Sequence, residues 1–362
     1  MTRCVFVYIL VAEFGGCGGT SIDAGEGGVD ATPDAMADAA IADVGVPDRG
    51  PIAPRDAAGI DRTVDGEAAL GAPYPLVLAH GFFGFDDFAG AGFLTYFYQV
   101  EEDLRANGEQ VFITTVDPFN DSTVRGLALL ERVEEILAET GHAKVNLIGH
   151  SQGGLDARVV AAERPDLVES VTTIATPHDG TLLADIVVGL VEDDRLAGLL
   201  DAFVRLIGAP LYDQVGMETS VVAALRQLST DGGAEFNRRY PDPPGVAIYS
   251  IGGRSDRHRG RRACVSPSPP PFIARWEDET DPIDPLLGLT EEILDGGLTA
   301  PFPNDGLVRV DDAKRGRFLG CVPADHLDQV GQLLGDSPGL FNDFDHQEFF
   351  RELAAWLRSQ GH

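Results

Sequence analysis

Along residues 73–180 short apolar runs alternate with longer stretches in which apolar residues recur every third or fourth position. Residues 74–80 (YPLVLAH) form a compact apolar run closed by Gly81, which predicts a buried strand. Residues 94–107 have helical spacing and stop at Gly108. Residues 110–116 (QVFITTV) predict a second strand, and 122–140 a helix with Leu127, Leu130, Val133 and Leu137 on one face. A strand over 144–148, a helix over 152–163 and a strand over 167–175 continue the series. Strand character returns at 245–252 and 318–322, and residues 345–359 place Phe349, Leu353 and Trp356 on one face of a closing helix. Strands alternating with helices of this length predict an α/β fold, with a mostly parallel central sheet flanked by helices. In such sheets ligands bind at the carboxyl ends of the strands.

Two stretches break the rhythm. Residues 181–228 carry Leu182, Ile186, Val187, Leu190, Leu196, Leu199, Leu200, Phe203 and Leu206 at helical spacing, with acids interspersed. This amphipathic insertion reads either as an ordinary helix on the core or as a lid with an apolar underside. Residues 254–271, basic and then proline-rich, read as a loop.

The first 65 residues are of a different kind. Arg3 followed by the apolar residues 4–12 predicts a short export signal within residues 1–17. The sequence Phe14-Gly15-Gly16-Cys17 resembles a bacterial lipobox, which makes Cys17 the candidate for lipidation, with plain secretion as the alternative. Residues 18–65 hold ten acids against three arginines, a local charge of −7, and contain no aromatic residue. Such a segment cannot bury enough apolar surface to offset its chain entropy, so it is expected to be a disordered acidic linker to a folded domain over 66–362.

The 362-residue chain carries 27 Lys and Arg against 58 Asp and Glu, a net charge of −31. That charge excludes nucleic acid as a partner and opposes attraction to anionic lipid. Of four cysteines, Cys4 and Cys17 belong to the leader. Cys264 and Cys321 remain as an even pair, expected to form a disulfide in an exported protein and otherwise to be free thiols.

The strongest chemical signal is Gly149-His150-Ser151-Gln152-Gly153, which follows a predicted strand and opens a predicted helix. This is G-x-S-x-G in the strand–turn–helix setting that exposes a serine at a sharp turn and aims a helix N-terminus at developing negative charge. Ser151 is therefore the candidate nucleophile. The oxyanion donors expected with it are the N–H of Gln152 and an N–H from the loop His80-Gly81-Phe82-Phe83-Gly84, for which Phe82 is the candidate. The partners should follow in the order acid, then histidine. His326, in the loop after the last strand, is the candidate base. Asp305, in the turn Pro303-Asn304-Asp305-Gly306, is the candidate acid, in competition with Asp256, Asp284, Asp311 and Asp312.

Taken together, several stretches resemble the bacterial triacylglycerol lipases of the Pseudomonas/Burkholderia type, a branch of the α/β-hydrolases. They are 78–86 (LAHGFFGFD), 145–154 (VNLIGHSQGG), 173–178 (TIATPH), 304–308 (NDGLV) and 325–335 (DHLDQVGQLLG), and the likeness spans about residues 73–358. The resemblance implies a triad of Ser151, Asp305 and His326, an oxyanion pair of Phe82 and Gln152, and a bound calcium ion. Its implied ligands are the carboxylates of Asp284 and Asp328 and the backbone carbonyls of Gln332 and Asp336. It also implies a lipid or ester substrate met at an interface, and in many members a dedicated lipase foldase; the chain is expected to be a monomer. The chain departs from the family by lacking its disulfide cysteine shortly after the catalytic aspartate; Arg309-Val310-Asp311 occupies that stretch. The expected activity is triacylglycerol hydrolysis. An esterase or polyester hydrolase with the same triad is the nearest alternative, and a non-catalytic surface protein on this scaffold the remote one.

Overall fold

Every residue of β3 (Leu76–Ala79) and β5 (Val145–His150) is buried, as expected for strands covered on both faces. In this computed structural model they lie side by side within a six-stranded sheet. The structure describes residues 63–64, 67–82, 96–192, 221–255, 261–276, 279, 281–296, 302–332, 335–339 and 342–362. The signal segment with Cys17, most of the acidic linker, residues 193–220 of the insertion, Gly84, Asp256 and His258 lie outside the described residues.

The main sheet adds β4 (Val111–Thr114), β6 (Val168–Ile174), β7 (Ala247–Gly253) and β8 (Arg317–Val322), in the order β4-β3-β5-β6-β7-β8. Every pairing is parallel. Ala79 is in register with Thr114 on one side and Gly149 on the other, so the chain reverses its direction of travel across the sheet between β3 and β5. That reversal opens the crevice where α/β sheets place their sites. A separate pair, β1 (Thr63–Val64) and β2 (Glu67–Ala68), is antiparallel, so Thr63 and Val64 within the 18–65 segment are paired strand.

The apolar runs of the strands sort by alternation onto two cores. Leu76, Leu78, Ile148 and Ile251 join one with Phe97, Leu104, Phe349, Phe350 and Leu353. Val77, Leu147 and Val171 join the other with Leu129, Val133, Ala157 and Val160. The first core packs α1 (Val100–Ala106) and α9 (His346–Ser359) on one face of the sheet, and the second packs α2 (Ser122–Thr140) and α3 (Gln152–Glu163) on the other. Each fully buried Leu, Ile or Phe side chain contributes about 1.5–3 kcal/mol. The insertion is helical where it is described, as α4 (Leu182–Glu192) and α5 (Val221–Leu228), and is followed by α6 (Thr230–Arg239).

Three expectations are corrected. The helix expected over 94–107 begins only at Val100, after Gln99 in a left-handed conformation (φ 55°), because Tyr96 and Phe97 turn inward to the core. On α2 the buried stripe runs through Ser122, Arg125, Gly126, Leu129, Val133, Ile136 and Leu137, while Leu127 is 44% exposed. The reason is the neighbour: a Cβ on Gly126 would stand 2.5 Å from Val159 Cβ of α3, so the close-packing face is centred on a glycine and a charge. Finally, the loop expected over 254–271 contains the short helix α7 (Arg261–Cys264), and α8 (Pro271–Ala274) follows at its end. α7 is bonded to β8 through the Cys264–Cys321 disulfide, and Ser266 Oγ donates to Phe318 O at 2.8 Å. Together they cover part of an edge strand that would otherwise present unpaired backbone.

Candidate active site

Ser151 sits between β5 and α3 with φ 55° and ψ −130°, a conformation that L-residues adopt at a cost of about 1–3 kcal/mol. The glycines on either side make the turn possible. A Cβ at Gly149 would lie 2.4 Å from Gly153 O, and one at Gly153 would lie 2.1 Å from Ala79 O. Ser151 N donates to Ile174 O at 2.9 Å, which ties the turn to β6. Gln152 is the first residue of α3 and is buried. Its side-chain Nε2 donates to Asn120 O at 2.9 Å.

The loop after β3 crosses directly over the serine, since a Cβ at Gly81 would stand 2.6 Å from Ser151 Cβ. Phe82 lies in a turn of this loop and stacks edge-on against Phe119 with ring centroids 5.7 Å apart. A buried arginine holds the loop. Arg125 Nη2 donates to His80 O at 2.6 Å, Nη1 donates to Asp117 O at 2.9 Å, and Nε donates to Asp156 Oδ2 at 2.8 Å. Both members of the Arg125–Asp156 pair are fully buried. Burial raises the pKa of Asp156, and the Arg125 charge and hydrogen bond pull it back down. Sequence reasoning missed Arg125, because an arginine on an amphipathic helix ordinarily marks the solvent side.

The other half of the site comes from two loops far along the chain. His326 Nδ1 is 2.8 Å from Asp305 Oδ2, and His326 N donates to Asp305 O at 2.9 Å. Asp305 Oδ1 accepts from Leu307 N at 3.0 Å and Val308 N at 2.7 Å, and Oδ2 also accepts from Gln329 Nε2 at 3.0 Å. Asp305 and His326 are both buried. His150, the residue before the serine, has its ring 4.6 Å from the His326 ring, so the two halves meet at this pair. Burial holds the pKa of His150 well below the usual histidine value, and the His326 imidazole adds to that lowering. His150 Nδ1 lies 2.6 Å from Tyr96 Oη. Of the alternative acids, Asp311 is exposed and pairs with Lys314, and Asp284 lies in an acidic cluster. Asp312 is pushed up to about 6, chiefly by burial.

The sequence-predicted metal ligands partly converge. Ligand oxygens of Asp284, Asp328 and Asp336 lie within 4.8 Å of one another, and those of Asp281, Asp325 and Asp328 form a second group sharing Asp328. Asp336 thus brings a carboxylate to the cluster, where the resemblance implied its carbonyl. Gln332 follows in the same turn, its N–H donating to Leu327 O at 3.0 Å. Asp281 and Asp325, which sequence reasoning missed, lace two segments together. Asp325 N donates to Asp281 Oδ2, and Asp284 N donates to Asp325 Oδ2 at 2.8 Å. Burial pushes Asp281 up to about 7, with the Asp325 charge next, and raises Asp325 and Asp328 as well. Asp284 Oδ2 is buried with no hydrogen-bond partner. These groups could hold a metal ion. The one signal in the sequence for Asp281 was the repeat Asp281-Pro282-Ile283-Asp284-Pro285.

Residues 74–236 match the family described as the alpha/beta hydrolase fold. The chain is 37% identical over 298 residues to a triacylglycerol lipase of Vibrio cholerae, covering 80% of this chain and 88% of that protein. It is 33% identical to a triacylglycerol lipase of Burkholderia plantarii, covering 72% of this chain and 80% of that one. Among solved structures, a Staphylococcus hyicus lipase superposes with a TM-score of 0.57 at 18% identity, over 80% of this chain and 97% of that one, which speaks for the fold. The chain belongs to the α/β-hydrolases, as a member of the serine-hydrolase type. Within them it is a relative of bacterial triacylglycerol lipases and esterases at large, and the identities single out no one branch.

Proposed function

We propose that the protein is a carboxylic-ester hydrolase whose principal substrate is triacylglycerol, acting through an acyl-enzyme on Ser151. The observation that carries this reading is the His326–Asp305 hydrogen bond of 2.8 Å, brought beside a strained serine turn in a chain related over 80% of its length to a triacylglycerol lipase. In the reaction, His326 Nε2 takes the Ser151 hydroxyl proton as Oγ attacks the ester carbonyl. Asp305 holds the ring through Nδ1–H and stabilises its charged form. The Phe82 and Gln152 N–H groups stabilise the tetrahedral oxyanion, each worth about 10²–10³ in turnover. His326 then passes the proton to the leaving alcohol, and water, activated by the same imidazole, hydrolyses the ester on Ser151.

Calcium is proposed at Asp284 and Asp328, with Gln332 and Asp336 beside them. The donor set is hard oxygen, which suits that cation, and the unpartnered Asp284 Oδ2 offers it a buried ligand. Bound there, the ion would supply positive charge that neutralises the cluster and ties the His326 loop to the Asp284 segment. Export, with anchorage through Cys17 or free secretion, is proposed on the leader, and the Cys264–Cys321 disulfide supports an oxidising compartment.

The test is an acyl-ester series from short soluble esters to emulsified long-chain triglyceride, run on the full chain with calcium and on Ser151→Ala. Long-chain hydrolysis that falls by about 10⁶ in the variant supports the proposal. Activity confined to short esters replaces it with an esterase, and activity unchanged in Ser151→Ala overturns the nucleophile assignment.

A further inference from the structure

Asp305 Oδ2 accepts two hydrogen bonds, one from His326 Nδ1 at 2.8 Å and one from the side chain of Gln329 at 3.0 Å. The same Gln329 Nε2 lies 3.3 Å from Ala324 O, so both of its protons are directed at acceptors of the acid–base loops. Gln329 is fully buried. Its slot is narrow: a Cβ on Gly253, at the end of β7, would lie 1.9 Å from Nε2. Its backbone N–H donates to Asp325 O at 3.2 Å, fixing it to the turn that carries His326. A neutral amide donates to both acceptors without adding charge beside Asp305, whereas a hydrocarbon would leave Ala324 O and Asp305 Oδ2 each short of a donor.

We propose that Gln329 is a positioning residue for the acid–base pair, holding the Asp305 carboxylate toward His326 by donating to the same Oδ2 that faces Nδ1. Without Gln329 the carboxylate keeps the Leu307 and Val308 N–H bonds on Oδ1 but loses a donor on Oδ2, and it gains freedom to rotate away from the line of transfer.

The inference rests on the serine-hydrolase reading and is tested on a soluble p-nitrophenyl ester, so that it does not depend on triglyceride as substrate. We compare Gln329→Leu and Gln329→Glu with the wild type by kcat and KM. Gln329→Leu is expected to lower kcat about 10- to 100-fold with KM within about twofold, the size of a hydrogen bond to a charged group. Gln329→Glu has nearly the same size, but it sets a second carboxylate against Asp305 in place of a donor, so its kcat should fall too. In an Asp305→Ala background, Gln329→Leu should cost less than twofold more, because its effect passes through Asp305. A Gln329→Leu protein that melts like the wild type with an unchanged kcat overturns the inference, as does a full further loss in Asp305→Ala. Should Gln329→Leu not fold, a Gln329→Glu protein with the wild-type kcat overturns it equally. A wild type that neither hydrolyses the ester nor is labelled at Ser151 by a fluorophosphonate overturns the serine-hydrolase reading instead.

Discussion

Between Val145 and Glu163 the chain makes a strand, a turn and a helix without interruption, and the conformation of Ser151 follows from glycines two residues away on either side. Asp305 and His326 stand 21 residues apart and meet only because their two loops are hydrogen-bonded to each other through backbone and side chain. Steric exclusion makes the first half. A web of loop hydrogen bonds, with acids brought together against their own repulsion, makes the second. The nucleophile turn should therefore respond to changes in packing and buried pairing, and the acid–base half to charge, cations and pH.

The largest effect should come from breaking the buried Arg125–Asp156 ion pair that supports the loop over the serine. Arg125→Met leaves Asp156 buried without its cation and frees the carbonyl of His80. The expected loss is about 3–5 kcal/mol in urea unfolding. In the double variant Arg125→Met/Asp156→Leu much of that stability should return, while kcat stays low because the loop is no longer held. Full activity in the double variant would remove Arg125 from its positioning role.

Next in size is the disulfide, which closes a loop of 57 residues in the acid–base half. Cys264→Ser/Cys321→Ser should lose about 2–4 kcal/mol by thermal or urea unfolding. Esterase turnover at 25 °C should change little, since the bridge lies at the sheet edge and touches none of the reacting groups.

The smallest effect, and the one most specific to the acid–base half, is the response to chelation. Asp281 is pushed up to about 7 and its neighbours Asp325 and Asp328 are raised too, so without a cation the folded state binds more protons than the unfolded one. That contribution is fully present below the unfolded carboxylate pKa of about 4 and is lost as pH rises through the folded values. The chelated protein should therefore lose Tm between pH 5 and pH 8. Calcium at about 100 times its Kd should restore roughly 2.7 kcal/mol at pH 8 and less at pH 5. A calcium effect equal at both pH values would place the ion elsewhere.

The two halves also differed in how far the sequence revealed them. Gly149, Ser151 and Gly153 were legible because the constraint is local, a turn too tight for any Cβ. The strands were legible because alternation and continuous apolar runs are local as well. Arg125 was not, because its place depends on Asp156 and on the carbonyls of a loop arriving from β3. The buried face of α2 was misplaced for the same reason, since Leu127 and Leu129 are chemically alike and only the approach of α3 decides between them.

The sequence by itself determined the order of strands and helices, the serine turn, and the choice of residues from which an acid, a base and a cation site could be drawn. Tertiary structure alone decided that Asp305 is the carboxylate bonded to His326, that Asp281 and Asp325 join Asp284, Asp328 and Asp336, and that Gln329 stands against Asp305. Side-chain periodicity and steric exclusion act over a few residues and leave a mark in the sequence. Desolvation and charge depend on which distant segments come within a few ångströms, and that is set only when the sheet has closed its register.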